Sequence, residues 1–185
     1  MKILKQLFIT ALIVGLFASC IKDQESPQEV YQKDLKKIED YLATTDFQAK
    51  KTEQDPDRGI VMQWDSLSYS GIKSEEGDTL LVNYTGMLLD ETVFDTNIEA
   101  VARENGMYSS ERDYVPLEVY SNNYIQGFLY ALSEMEKGDR ARVIMPSIWG
   151  YGNVDKGIIP PNSVLIFDLE LKDIIKSEED ITTEE

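Results

Sequence analysis

The chain has 185 residues, of which 34 are aspartate or glutamate and 18 are lysine or arginine, so its formal net charge is −16 at pH 7. A body this acidic is repelled by nucleic acid and by anionic lipid surfaces, so we expect no nucleic-acid partner. Histidine is absent and Cys20 is the only cysteine. These absences exclude Ser-His-Asp and Cys-His nucleophiles and most zinc and iron sites, and we expect no metal and no cofactor.

The first twenty residues have the pattern of a secretory signal. Two lysines precede an almost unbroken apolar run over residues 7–17, which is too short to cross a bilayer core comfortably. Two small residues then precede Cys20, the position at which the signals of bacterial lipoproteins carry the cysteine that becomes lipidated. The sequence therefore predicts a signal peptide over residues 1–19 and a lipid anchor at Cys20. The alternatives are an uncleaved anchor or an incidental cysteine.

The segment after the cysteine reads as a tether followed by one helix. Residues 28–43, QEVYQKDLKKIEDYLA, have apolar side chains at roughly helical spacing, and Ser26 and Pro27 favour a helix start just before them. The helix is short and highly charged, so we expect that it must dock to persist. Residues 44–59 are polar and contain Asp-Pro, which is typical of a linker.

From residue 60 onward the pattern is mainly that of β-strands. Alternating and β-prone runs predict strands at 60–69, 79–88, 93–95, 116–120, 140–145 and 164–174. Residues 97–106 predict a helical turn or two. The best helix candidate is 125–137, because Phe128, Leu132 and Met135 share one face and Gly138 follows the predicted end.

Several antiparallel strands and one principal helix predict an α+β domain whose sheet packs on that helix. The predicted organisation is a signal peptide at 1–19, a lipidated tether with the N-terminal helix at 20–58, the folded domain at 59–175 and an acidic tail at 176–185.

Residues 157–171, GIIPPNSVLIFDLEL, combine a rigid loop with a strand. Proline lacks an amide donor and has a fixed φ, so the Pro160-Pro161 pair cannot lie inside a sheet. A stiff loop tipped with Ile158 and Ile159 and followed by an aromatic strand position suits an apolar pocket wall. Such a wall can grip a ligand without any nucleophile.

Four motifs, in order, resemble the FKBP-type peptidyl-prolyl isomerases. They are GDTLLVNYTGML, VFDT, YIQGFLYALSEMEKGDRARVIMP, and YG followed by GIIPPNSVLIFDLEL, and together they cover about Gly77 to Ile174. The resemblance implies a half-barrel of antiparallel strands wrapped around one main helix, with the pocket between helix and sheet. The preceding helix and the cysteine look like the FKBP-type lipoproteins associated with gliding motility in some bacteria.

The resemblance also implies which residues form the site. Catalytic roles fall on Tyr84, Phe94, Asp95, Tyr151, Ile159 and Phe167, and substrate contacts fall on Leu117, Val119, Ile125, Phe128 and Ile158. Phe128 would form the floor where the family typically has tryptophan, and Ile159 would offer its backbone amide. The stretch from Thr96 to Val115 is longer than in compact single-domain members.

The resemblance implies a peptidyl-prolyl cis-trans isomerase that helps exported proteins fold in the bacterial cell envelope. We expect proline-containing polypeptides as its partners and a monomeric state. We also expect the lipid anchor to hold it on the outer membrane, either periplasm-facing or at the surface. One alternative is a catalytically weak FKBP-like binding module in an envelope complex such as the gliding machinery. A carbohydrate-active enzyme is a further alternative, but it needs two facing carboxylates, and only Asp95 is expected in this pocket.

Overall fold

The computed structural model describes residues 25–120 and 122–177. The predicted signal peptide, Cys20 and most of the predicted acidic tail lie outside these residues. Within the described ranges, no helix is both long enough and apolar enough to span a bilayer.

The described strands form one antiparallel sheet. They are β1 (Lys51–Gln54), β2 (Val61–Ser66), β3 (Thr79–Met87), β4 (Val93–Thr96), β5 (Leu117–Val119), β6 (Arg140–Met145) and β7 (Leu165–Ile175). Their order is β1-β2-β6-β7-β3-β4, with β5 beside β3. The predicted antiparallel α+β fold is confirmed.

Three α-helices accompany the sheet in the described part of the chain: α1 (Pro27–Thr44), α2 (Glu99–Glu104) and α3 (Gln126–Glu134). Ser26 caps α1 as predicted, because its hydroxyl accepts the Glu29 N–H at 3.2 Å and the Glu29 carboxylate accepts the Ser26 N–H at 2.8 Å. Helix α3 is shorter than the predicted 125–137, because Met135 already has extended backbone.

The main core lies between α3 and one face of the sheet. Phe128 and Leu132 of α3 are buried there together with Met135, which directly follows the helix, and so are Val82 of β3 and Val143 of β6. The apolar face predicted for this helix is therefore the face that packs, and it brings the first turn of α3 close to the strands β3 and β7.

A second apolar cluster covers the opposite face of the sheet. Ile38 and Tyr41 of α1 pack there with Val61, Ile144 and Ile166 of the central strands. Apolar clusters thus cover both faces of these strands, and four of six side chains in β2 and five of six in β6 are buried. Helix α1 is therefore docked on the sheet, while its dependence on docking stays a prediction.

The prediction of a linker over residues 44–59 is wrong for residues 51–54, which form a strand. Strand β1 lies within it and pairs with β2, with Lys51 opposite Trp64 and Gln54 opposite Val61. All four β1 side chains are exposed, so the strand carries no apolar alternation that could reveal it. The sheet therefore begins before residue 59, where we expected the domain to start.

Candidate functional site

A cavity of about 240 Å³ opens between the first turn of α3 and the strands β3, β4, β5 and β7. It is lined by Tyr84, Phe94, Asp95, Leu117, Asn123, Tyr124, Ile125, Phe128, Tyr151 and Phe167. All except Asn123 and Tyr124 are residues that the resemblance singled out. We call this cavity the aromatic pocket.

Ring contacts build the floor and one wall of the aromatic pocket. Phe128, only 3% exposed, meets Tyr84 edge-on at a centroid distance of 6.1 Å and Phe167 at 5.4 Å. Phe94 meets Phe167 edge-on at 5.6 Å, and Tyr124 stacks on Phe128 at 6.0 Å. Edge-to-face and offset pairs are favourable beyond their buried area, so the rings hold one another in place.

Strand β3 approaches these rings without a side chain at Gly86. A Cβ atom at this position would lie 2.5 Å from the Phe94 ring and 2.8 Å from the Phe167 ring, closer than real Cβ contacts. Glycine is therefore required here by space, and it lets two rings of the pocket wall pack directly on the strand backbone.

One edge of the aromatic pocket is polar. The Tyr84 hydroxyl donates to the Asp95 carboxylate at 2.6 Å, and Arg112 donates to the other carboxylate oxygen at 2.8 Å. Arg112 also donates to the Tyr84 hydroxyl oxygen at 3.2 Å. The three side chains form a closed network that fixes the Tyr84 phenol and balances the Asp95 charge.

Tyr84 and Tyr151, two of the three tyrosines that line the pocket, are held in their neutral form. Burial, followed by the hydrogen bond to Asp95, raises the pKa of Tyr84. Burial and then the negative charge of Asp95 raise the pKa of Tyr151. Both groups are therefore protonated around neutral pH, and Tyr151 can donate a hydrogen bond into the pocket.

The sequence profile of the FKBP-type peptidyl-prolyl cis-trans isomerases matches residues 70–172, more than half of the chain. The chain belongs to this family. FkpA of Aeromonas hydrophila is 32% identical over 141 residues, which cover 76% of this chain and 47% of that protein. A short-type peptidyl-prolyl cis-trans isomerase of Methanocaldococcus jannaschii is 39% identical over 87 residues, covering 46% of this chain and 55% of that protein.

The chain therefore spans about half the length of these FKBP-type relatives. The crystal structure of FkpA from Escherichia coli superposes with a TM-score of 0.58 at 24% identity, covering 93% of this chain and 83% of that one. At this identity the superposition shows the shared fold.

Three residues that the FKBP resemblance singled out do not line the aromatic pocket. Val119 is 4% exposed and lies in the main core, where it pairs with Leu80 of β3. Ile159 is also in the main core at 5% exposed, whereas Ile158 points outward at 53% exposed. Both residues lie in a bend before β7, and only the Ile159 side chain is buried there. The backbone role suggested for Ile159 stays a prediction.

Sequence reasoning missed two parts of the site. Arg112 lies 17 residues beyond Asp95, and no periodic spacing links them. Tyr124 lies just before α3 and donates its hydroxyl to the Glu118 carbonyl at 3.0 Å, which holds its ring over Phe128. An aromatic residue directly before a predicted pocket-lining helix was the available signal for Tyr124.

Among the residues that line the aromatic pocket, Asp95 is the one carboxylate. Retaining and inverting glycosidases need two carboxyl groups on opposite sides of the scissile bond. The lining therefore gives no support to the alternative of a carbohydrate-active enzyme.

Proposed function

We propose that the protein is a peptidyl-prolyl cis-trans isomerase that acts on proline-containing polypeptides. The observation that carries the proposal is the aromatic pocket with its Tyr84–Asp95–Arg112 edge, found in a chain of the FKBP-type family. The pocket offers a proline ring an apolar seat about 240 Å³ in volume and leaves one side open for the flanking peptide.

The pocket geometry suits bond rotation rather than bond cleavage. Rotation about an X-Pro bond is slow because amide resonance opposes it, with a barrier of roughly 18–20 kcal/mol. The twisted amide has lost resonance and is less polar than the planar one, so a cage of aromatic rings favours it. In this proposal, the Tyr151 phenol donates a hydrogen bond to the rotated carbonyl. Each tenfold gain in rate requires about 1.4 kcal/mol of such discrimination.

The test is a proline-isomerisation assay on a short X-Pro peptide, with the chain from residue 20 onward carrying Cys20→Ser. We expect acceleration by the parent and a reduced kcat/KM for the pocket variant Phe94→Leu. Ile72→Ala, which truncates an exposed apolar side chain away from the pocket, is the matched control. No acceleration by a folded parent would overturn the isomerase proposal. Binding of the peptide without acceleration would favour the weak binding module. That alternative is supported by Phe128, which is smaller than the tryptophan that the family typically has at this position.

The proposed location is the bacterial cell envelope, with the protein held on a membrane by acyl chains on Cys20. The support is the signal-like segment at residues 1–19 and the placement of the one cysteine directly after it. A role beside the gliding machinery belongs to the alternative of a weak binding module, and its support is the resemblance to gliding-associated lipoproteins. Metabolic labelling with a fatty-acid analogue, compared between the parent and Cys20→Ser, tests the anchor.

A further inference from the structure

Helix α1 lies outside the family-matched residues 70–172, yet it contacts the loop that carries Tyr151. The contact is made by Asp34, whose side chain is fully buried. Its carboxylate accepts the Ser147 backbone N–H at 2.9 Å and also the Ser147 hydroxyl. Lys37, one turn later in α1, lies 3.0 Å from the other carboxylate oxygen.

Ser147 in turn fixes the loop on both sides of Tyr151. Its carbonyl accepts the N–H of Gly150 at 2.9 Å and the N–H of Gly152 at 2.8 Å. The Gly152 carbonyl accepts the N–H of Asn162 at 2.8 Å, which ties the same loop to the segment before β7. Tyr151 therefore lies between two glycines whose N–H groups both donate to the Ser147 carbonyl.

Docking of α1 does not by itself require this carboxylate. Ile38 and Tyr41 already bury the apolar face of the helix against the sheet. Burying a carboxylate is costly unless it is paired and hydrogen-bonded, and Asp34 meets that condition through Ser147 and Lys37. The buried Asp34 carboxylate therefore points to a role other than attaching the helix to the sheet.

We propose that Asp34 is a positioning residue for Tyr151, so that the N-terminal helix forms part of the functional unit. Its carboxylate fixes Ser147, the Ser147 carbonyl fixes Gly150 and Gly152, and the Tyr151 phenol is thereby held at the aromatic pocket. The inference rests on the proposed isomerase function. It adds that full activity requires α1, which lies outside the family-matched residues.

The test compares Asp34→Ala with Ile38→Ala, which weakens docking of the same helix without touching Ser147. At a temperature where circular dichroism shows both variants folded, we expect kcat/KM to fall at least about fivefold for Asp34→Ala and to stay near the parent for Ile38→Ala. In a Tyr151→Ala background, Asp34→Ala should cause no further loss. Equal losses in both single variants, or an additive loss in the double variant, would overturn the proposal.

Amide hydrogen exchange provides a readout that does not depend on activity. We expect faster exchange at Gly150 and Gly152 in Asp34→Ala than in Ile38→Ala, and partial rescue by Asp34→Asn, whose amide oxygen still accepts one hydrogen bond. If Asp34→Ala does not fold, Ser147→Ala removes one of the two donors and should change both readouts in the same direction. An inactive parent would count against the isomerase proposal, while unchanged exchange would count against the positioning role.

Discussion

Asp95 accepts hydrogen bonds from Tyr84 and Arg112 at the polar edge of the aromatic pocket. Because it organises two neighbours and has no proton to transfer in this mechanism, Asp95→Asn should lower kcat/KM by about tenfold or less, equivalent to about 1.4 kcal/mol. Asp95→Leu should lower it further, since the Arg112 guanidinium then loses its carboxylate partner. Isomerase kinetics on a short X-Pro peptide measure both effects.

Arg112→Lys is the matched control for the Asp95 variants, because it keeps the positive charge but loses the paired donors. The kcat/KM of Arg112→Lys should lie between that of the parent and that of Asp95→Leu. Complete loss of activity in a folded Asp95→Asn protein would indicate proton transfer and would contradict a mechanism based on twisting alone.

Phe94 and Phe167 both contribute rings to the pocket wall but differ in burial. Phe94 is half-buried, whereas Phe167 is 4% exposed and belongs to the main core. We expect Phe94→Leu and Phe167→Leu both to lower kcat/KM, because each shrinks the cage around the amide. Only Phe167→Leu should also lower the free energy of unfolding clearly, by about 1 to 3 kcal/mol. Parallel urea denaturation and kinetics separate the effects, and a fully active Phe94→Leu would show that its ring is not part of the cage.

Among the elements, α1 contributes stability by covering the outer apolar cluster. Ile38 is 2% exposed and packs against Ile144 and Ile166. Ile38→Ala should lower the free energy of unfolding by about 2 to 4 kcal/mol through lost burial and the cavity left behind. Lys36→Ala, which removes only exposed ion pairs of the same helix, should change it by about 0.5 kcal/mol or less. Urea unfolding checks both, and equal effects would show that α1 adds no packing energy.

The elements that sequence predicted well are those whose pattern matches one buried face. Strand β3 follows the predicted run 79–88, and Phe128, Leu132 and Met135 identified the packing face of α3. Strand β1 could not be predicted in this way, because its polar side chains are all exposed and its place is set only by pairing with β2. Its position depends on the partner strand rather than on its own sequence.

The site was predictable where the family motifs extend and less so beyond them. The pocket contains the motif residues Tyr84, Phe94 and Tyr151, among others, because their elements converge in the fold. Arg112 lies outside the motifs, in the segment between β4 and β5, and the path of that segment in the fold brings it to Asp95. Asp34 lies in a helix rich in charged residues, so nothing in the sequence distinguished a buried carboxylate from a solvated one.

For the whole molecule, the absence of histidine determines the pH response of activity. Burial raises the pKa of Tyr84 and of Tyr151, so loss of their protons moves further above the usual value near 10 and away from neutrality. We therefore expect kcat/KM to be constant from about pH 6 to 8. A pH–rate profile at constant ionic strength measures this. A bell shape inside that window would reveal acid–base chemistry that the pocket does not provide.

The net charge of the molecule also bears on how it reaches a membrane. With a formal charge of −16, the protein gains no electrostatic attraction to anionic lipid, and its described helices include none that could span a bilayer. Acyl chains on Cys20 would then supply most of the membrane affinity, at about 0.8 kcal/mol per buried methylene.

Cys20→Ser should shift the protein from the membrane pellet to the soluble envelope fraction, as measured by fractionation and immunoblotting. The control Ser26→Ala, a change in the cap of α1, should leave the protein in the pellet. A Cys20→Ser protein that stays with the membrane would instead point to anchoring by an uncleaved signal or by a partner protein.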